Sequence, residues 1–329
     1  MRRQLMAYHP QIGYRFIPGL QTRELHEGGG FLLRTNGEGY RCRHEFQKEK
    51  KPGTSRILLF GDSYTAGMGV DDRARYGEQF EVLRPDVEVF NFGLPGSGTD
   101  MQYMSWREDA QEIEHDLVVI SVMVENILRI VQTHRPYRTL EGDEFLFAKP
   151  YFELSEDGSL SLRHVPVPKE ALPTEESLSD PYGRFLALRK LVNRFGPRVK
   201  DQVQRFSRFQ PLPAYNRSDS PSWRLMKSIL TQWTGELSKP VIIMPIPLYH
   251  YVEKTASAKA YQARFQELAE LPGVTIHDPL PDFHRFDFEQ RRGFRFERDC
   301  HLTSSAHRVL AESLSRAVEP HLGDLPLPS

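Results

Sequence analysis

The 329 residues, 39% hydrophobic and 26% charged, allow one large domain or one domain carrying a substantial insertion, with a sizeable buried core. With 43 basic against 44 acidic residues, no global charge recommends nucleic acid or an anionic membrane as a partner. Only two cysteines are present, Cys42 and Cys300, which excludes a metal site built on cysteine pairs and does not indicate a disulfide framework.

Both cysteines read as free thiols, which suits a reducing compartment. The first residues, MRRQLMAYHPQIGYRF, hold two arginines but no apolar h-region, and no apolar run is long enough to span a bilayer. The expectation is a cytoplasmic protein with no integral membrane segment.

Residues 1–54 are rich in Gly, Arg and aromatics. The piece from His26 to Gly37 reads as short strands with Gly and Asn-Gly turns, so 1–54 is expected to form a small β extension packed on the main domain. The run Lys48-Glu49-Lys50-Lys51 before Pro52-Gly53 reads as a solvated linker.

From Arg56 the pattern becomes α/β. Ile57 to Phe60 is an apolar run that stops at Gly61-Asp62-Ser63, the signature of a buried strand ending in a tight turn. Val87 to Phe92 predicts a second strand, followed by the turn Gly93-Leu94-Pro95-Gly96-Ser97-Gly98. Asp100 to Glu114 predicts a helix, and Leu117 to Val122 a third, fully buried strand.

Between about 133 and 222 the rhythm breaks. A hairpin is predicted around Asp157-Gly158, then a loop with Pro166, Pro168 and Pro173, then a helix within 181–206. This stretch reads as an insertion over one end of the sheet. Helices are predicted at 222–237, 256–271 and 303–322, with strands at 241–244 and 274–278. Strands separated by helix-length stretches argue for a parallel sheet of about five strands.

Open α/β sheets place ligands at the carboxyl ends of their strands. Ser63, the Gly93–Gly98 turn and Asn126 all lie just past such ends, and Arg298-Asp299-Cys300-His301 stands before the last helix. Ser63 is a candidate nucleophile, which needs a base in hydrogen-bond reach, and His301 has the right intrinsic pKa. In an extended segment Asp299 and His301 would face one side and Cys300 the other, leaving Asp299 to orient the imidazole. The N–H groups of Ser63 and Gly96 and the amide of Asn126 would form an oxyanion hole.

Blander readings exist for several of these residues. Asn126 and Asp299 are also good helix caps. Asp100 reads as a cap, His307 as structural or solvated, and Cys300 as a packed small hydrophobe. Arg291 to Arg298 reads as a surface loop whose arginines lie over apolar surface rather than as an anion or sugar site. Asp62 is expected to brace the turn.

The constellation resembles the SGNH (GDSL-like) hydrolase superfamily. The first block of that family matches Gly61-Asp62-Ser63-Tyr64, and the second matches Asn91-Phe92-Gly93-Leu94-Pro95-Gly96. The third block, usually Gly-x-Asn-Asp, here keeps only Asn126. The fifth, usually Asp-x-x-His, here has Asp299 two before His301. The resemblance covers about 56–127 and 240–320.

It implies a flavodoxin-like three-layer α/β/α sandwich over 55–329, interrupted by the insertion. It also implies a serine esterase using Ser63, His301 and Asp299, with Ser63, Gly96 and Asn126 as oxyanion hole and no metal or cofactor. The expected substrate is a small-molecule or glycan ester with a small acyl group such as acetyl. The polar Ser97-Gly98-Thr99 fits a small acyl group. An O-acyltransferase and a non-catalytic ligand-binding protein are the alternatives.

Overall fold

The computed structural model describes residues 5–138, 144–173 and 210–322. The helix predicted within 181–206 lies outside them. Five parallel strands form the central sheet: β1 (Ser55–Gly61), β2 (Val87–Gly93), β3 (Leu117–Met123), β4 (Val241–Ile246) and β5 (Val274–Ile276). Their spatial order is β5-β4-β3-β1-β2, the flavodoxin-like winding. The inner strands are buried almost throughout because helices cover both faces.

Adjacent residues of β1 show which helix covers which face, since successive side chains point to opposite sides. Leu59 lies under α1 (Tyr76–Leu83), so close to Gly77 that a Cβ there would sit 3.4 Å from its Cδ2. Phe60 points the other way, edge-on to Trp233 at 5.2 Å. Helix α2 (Thr99–Ser105) packs on Trp233's helix, α4 (Pro221–Glu236), while α1 packs on the C-terminal helix α6 (Ser304–Leu322). The short α3 (Asn126–Arg129) follows β3, and α5 (Lys259–Gln266) leads towards β5.

Several boundaries differ from expectation. Helix α1 carries no sequence signal at its start: its N-cap is Arg75, which makes no side-chain cap. The helix predicted over 100–114 is α-helical only to Ser105 and then widens into a π turn to Ala110, where Asp109 receives the Tyr40 hydroxyl at 2.6 Å. Strand β5 stops at Ile276, and Asp278 turns away to accept from Gln262 at 2.7 Å. The Asp157-Gly158 hairpin forms as predicted, pairing Tyr151–Leu154 with Leu160–Arg163. Phe152 of this hairpin stacks on Tyr103 of α2 at 5.6 Å. Of the predicted proline loop, residues 171–173 instead pair with 145–147 as a short strand. Of the run read as a solvated linker, Lys48 pairs with Glu112 on the exposed surface, while Lys50 pairs with Asp116 in a partly buried contact. No helix among the described residues is long and apolar enough to cross a membrane.

Residues 5–54 carry two antiparallel hairpins, Met6–His9 with Gly13–Phe16 and Gln21–Glu24 with Phe31–Arg34. Phe16, Phe31 and Leu33 form a small core of their own, against which Met68 packs. The deeper attachment is Arg41, which is fully buried. Its guanidinium donates to the carbonyls of Leu32, Ala66, Gly67 and Val70 and pairs with Asp72 at 2.9 Å. Three of those carbonyls belong to the loop that follows Ser63. Arg75 donates to the Arg41 carbonyl and pairs with Glu78. Burial and the neighbouring Arg75 pull Arg41 down to about 10, and burial pushes Glu78 up to about 7.

Replacing Arg41 with Met keeps the apolar stem and removes this donor from the carbonyls of Leu32, Ala66 and Val70, while the Gly67 carbonyl keeps the Val70 N–H. Unsatisfied buried groups cost about 1–3 kcal/mol each before relaxation. The expected result is a loss of roughly 3 kcal/mol or more, read as a lower urea midpoint at unchanged m.

His307 sits in the same buried layer. Its Nδ1 accepts the Tyr76 N–H at 3.3 Å, and its ring stacks on Tyr76. Burial, with Arg41 and Arg75 nearby, drives its pKa down to about 3. The unfolded chain therefore takes up a proton that the native state refuses, so this contribution is present above about 6.5 and is lost as pH falls towards 3. A full proton of difference is worth about 1.4 kcal/mol per pH unit. His307→Gln keeps an acceptor without the charge, and is expected to flatten the loss of stability between pH 6 and 4 in denaturant titrations.

Candidate active site

The chain leaves β1 through Gly61-Asp62-Ser63 and folds back at once. A Cβ at Gly61 would lie 1.9 Å from Thr65 Oγ1, so only glycine admits this reversal. Asp62 is fully buried and braces the turn, as expected. One carboxylate oxygen accepts the Tyr64 N–H at 2.9 Å, and the other pairs with Arg129 at 2.6 Å. From β2, Asn91 donates its amide to the Thr65 carbonyl at 3.0 Å and accepts the Gly93 N–H at 2.8 Å.

Ser63 Oγ lies 2.9 Å from His301 Nε2. His301 Nδ1 lies 2.8 Å from Asp299 Oδ2, with its N–H pointing off the line to that oxygen. The segment is not extended, contrary to expectation. Cys300 has φ +66°, a left-handed residue at the tip of the loop. This sharp bend brings Asp299 back to the imidazole across a spacing of two. It also turns Cys300 onto the pocket wall rather than into packing. Tyr64 supports the bend, with its hydroxyl on the Cys300 carbonyl at 3.0 Å and its ring 5.3 Å from that of His301. Burial alone would raise Asp299, but His301 and His26 beside it outweigh this and hold it at about 2.

Gly96 has φ +74°, and a Cβ on it would lie 1.9 Å from an Arg135 nitrogen. Neither the Ser63 nor the Gly96 N–H has an acceptor among the described residues. Asn126 opens α3 but does not cap it; the capping position is Glu125. The Asn126 side chain is fully buried, and its Oδ1 and Nδ2 have no partner among the described residues. It is not among the residues lining the cavity, to which its chain neighbours Met123, Glu125 and Arg129 contribute.

Ser63, Gly96, Asp299 and His301 thus line one cavity of about 510 Å³. Arg129, Arg135, Glu24, Glu125 and Tyr249 share its walls. Sequence reading had not singled out the two arginines or His26. Arg129 carries a usable signal, standing three residues after Asn126 on the same helical turn. His26 carries none, because its partner Asp299 is 273 residues away.

Other expectations need correction. Asp100 is not a cap; it is buried against Lys149, and burial moves the acid up and the amine down. Ser97 and Thr99 are buried and do not line the cavity, which removes the structural basis for linking them to the acyl group. The Arg291–Arg298 stretch is not all surface loop, since Arg291 and Arg292 close the helix Phe288–Arg292 and Arg291 is buried. Arg295 pairs with Glu253 at 2.6 Å over the Tyr249 ring, and Arg291 donates to the Phe286 carbonyl. No cluster of three metal-ligating side chains occurs among the described residues.

No family model and no curated protein sequence matches the chain. Among solved structures, it is similar to a lipase/acylhydrolase from Enterococcus faecalis, at 13% identity and TM-score 0.43, covering 84% of this chain and 100% of that one. It is also similar to a lipolytic protein of the G-D-S-L family from Veillonella parvula, at 12% identity and TM-score 0.42, covering 80% and 97%. A third likeness is to an acetyl xylan esterase, at 13% identity and TM-score 0.43, covering 80% and 99%. At such low scores and identities these likenesses leave the reading of the site to its own geometry.

Proposed function

We propose that the protein is a serine hydrolase that cleaves a carboxylic ester through an acyl-Ser63 intermediate. The observation that carries this reading is the Ser63 Oγ to His301 Nε2 contact at 2.9 Å, with Asp299 2.8 Å behind the imidazole. His301 takes the hydroxyl proton as Ser63 Oγ attacks the ester carbonyl carbon. Asp299 faces the imidazolium that forms. The tetrahedral oxyanion is held by the N–H groups of Ser63 and Gly96, which have no other acceptor among the described residues. Collapse breaks the bond to the alcohol oxygen, which leaves with the proton from His301. Water then repeats the sequence on the acyl-enzyme and regenerates Ser63.

In this reading Asn126 becomes the third oxyanion donor when its buried, unpartnered amide turns onto the bound ester. A fully buried amide with no partner is costly, roughly 1–3 kcal/mol, unless a ligand oxygen or water meets it. Hydrolysis is favoured over transfer to an alcohol because the imidazole is 22% exposed, so water reaches the base. The proposed substrate carries a short acyl group, since the Arg135 guanidinium stands against Gly96 where a longer chain would lie. Its alcohol is a polyhydroxylated one such as a sugar, suited to the arginine, carboxylate and tyrosine walls. The proposed chemistry calls on no metal or cofactor.

A fluorophosphonate probe is expected to label Ser63, and Ser63→Ala to lose the label along with roughly 10⁴-fold or more of ester turnover. A folded protein that is neither labelled nor active would favour a ligand-binding protein that keeps the fold. Acetylated sugar appearing in place of free acetate would favour transfer. Asn126→Ala is expected to lower kcat roughly 10²–10³-fold with KM little changed, as for other oxyanion donors.

A further inference from the structure

We propose that the loop 25–28 of the N-terminal extension belongs to the catalytic apparatus: His26, as a neutral Nε2–H donor, and Glu27, through its carboxylate, position Asp299 for His301. This rests on the hydrolase reading above, in which Asp299 is the acid of the triad.

Asp299 stands in an exposed loop and is itself 37% exposed at the side chain. Two features of the loop make it a poor holder of a carboxylate by itself. Its tip is a left-handed Cys300, and the N–H groups of Arg298 and Asp299 have no acceptor within the loop. Glu27 supplies the missing acceptor. Its carboxylate receives Arg298 N–H at 3.0 Å and Asp299 N–H at 2.7 Å. Burial would raise Glu27, but these backbone donors outweigh it and lower its pKa.

His26 acts on the side chain. Its Nδ1 accepts the Gly28 N–H at 3.2 Å, so Nδ1 carries no proton. The proton of the neutral ring must then be on Nε2, which donates to Asp299 Oδ2 at 2.8 Å. Asp299 Oδ2 therefore lies between two imidazoles, 2.8 Å from each, and the His26 N–H is the one aimed at it. The ring of His26 is held edge-on to Phe296 at 4.3 Å, with Phe31 at 6.0 Å. A Cβ at Gly69, where φ is +94°, would lie 3.1 Å from His26 Cε1 and 2.9 Å from Phe296 Cε2. Only glycine there lets the loop after Ser63 close on this pair. One ring thus touches the nucleophile's loop and the acid's loop at once, and second contacts of this kind fix the geometry that catalysis needs.

The neutral tautomer matters. A proton added at Nδ1 would break the Gly28 contact and set a second cation against Asp299, weakening its hold on the His301 imidazolium. Glu24 and Glu27 flank His26 on its own segment, and Arg298 and Asp299 face it from the opposite loop. Around His301 stand Glu125, Arg129 and Arg135 on the pocket wall, with His307 beneath. None of these is altered by a substitution at His26.

The test uses the full chain with p-nitrophenyl acetate. His26→Leu removes the donor and is expected to lower kcat roughly 10-fold to 100-fold, the range for losing one hydrogen bond to a charged group, with KM unchanged. A carboxylate relieved of one donor holds the imidazolium more tightly, so the acid limb of kcat/KM is expected to move up by about half a unit or more. His26→Gln, which places an amide N–H near the same point, is expected to restore most of the rate and the limb. Glu27→Ala is expected to lower kcat without moving KM.

Wild-type kcat and an unmoved limb in both His26→Leu and Glu27→Ala would overturn the proposal. Nitrogen-15 NMR of the histidines in the resting protein gives a readout that needs neither turnover nor a variant. An Nε2–H tautomer at His26 supports the proposal, and an Nδ1–H tautomer overturns it. A wild-type protein with that Nε2–H tautomer but no ester turnover would sink the hydrolase reading and leave the contact standing.

Discussion

Gly61 and Gly93 lie side by side at the ends of neighbouring strands, and neither has room for a side chain. A Cβ on Gly93 would stand 2.3 Å from the Ala66 nitrogen, and one on Gly61 would stand 1.9 Å from Thr65. This close approach lets the Ser63 turn lie flat across the carboxyl edge of the sheet. The rest of the site follows from it. Asn91 can reach the Thr65 carbonyl only because the turn lies that low, and Arg129 can reach Asp62 for the same reason. Parallel pairing puts the ends of β1, β2 and β3 on one edge, so Ser63, Gly96 and Asn126 all follow neighbouring strand ends, although only the first two line the cavity.

A turn that tight exposes carbonyls that have no partner in the sheet. The N-terminal extension answers this through Arg41, which reaches in from outside the α/β core and satisfies three of them. Burying a guanidinium is costly, and its planar array of donors is what makes the cost bearable. The extension is therefore built into the main fold, even though its hairpins carry a small core of their own. It meets the other side of the site through His26 and Glu27, so a single segment touches both the loop after Ser63 and the loop of Asp299.

Electrostatics across the site run in opposite directions over short distances. Asp299 is held at about 2 by two imidazoles, while Glu78 is pushed up to about 7 and His307 down to about 3 by burial in the layer below. The difference is access to donors and water rather than residue type. The upper layer is half-open and its charges are paired. The lower layer is dry, so groups there favour their neutral forms.

Much of this was legible from local pattern. An apolar run ended by glycine, a glycine turn and an Asp-x-His before a capped helix are short-range signals, and each marks one structural position. Asp157-Gly158 carried the same kind of information and gave the hairpin expected of it. Helix α1 was not legible because no cap residue announces it. The left-handed Cys300 was not legible because nothing in its own side chain calls for that conformation. By itself the sequence determined the order of the strands along the chain and which turn segments follow the first three of them. Only the tertiary structure decided that Asn126 is buried off the cavity lining, that Arg41 finds its acceptors in the Ser63 loop, and that His26 meets Asp299. Those contacts join residues far apart in the chain, and they exist only once the sheet has brought its edge together.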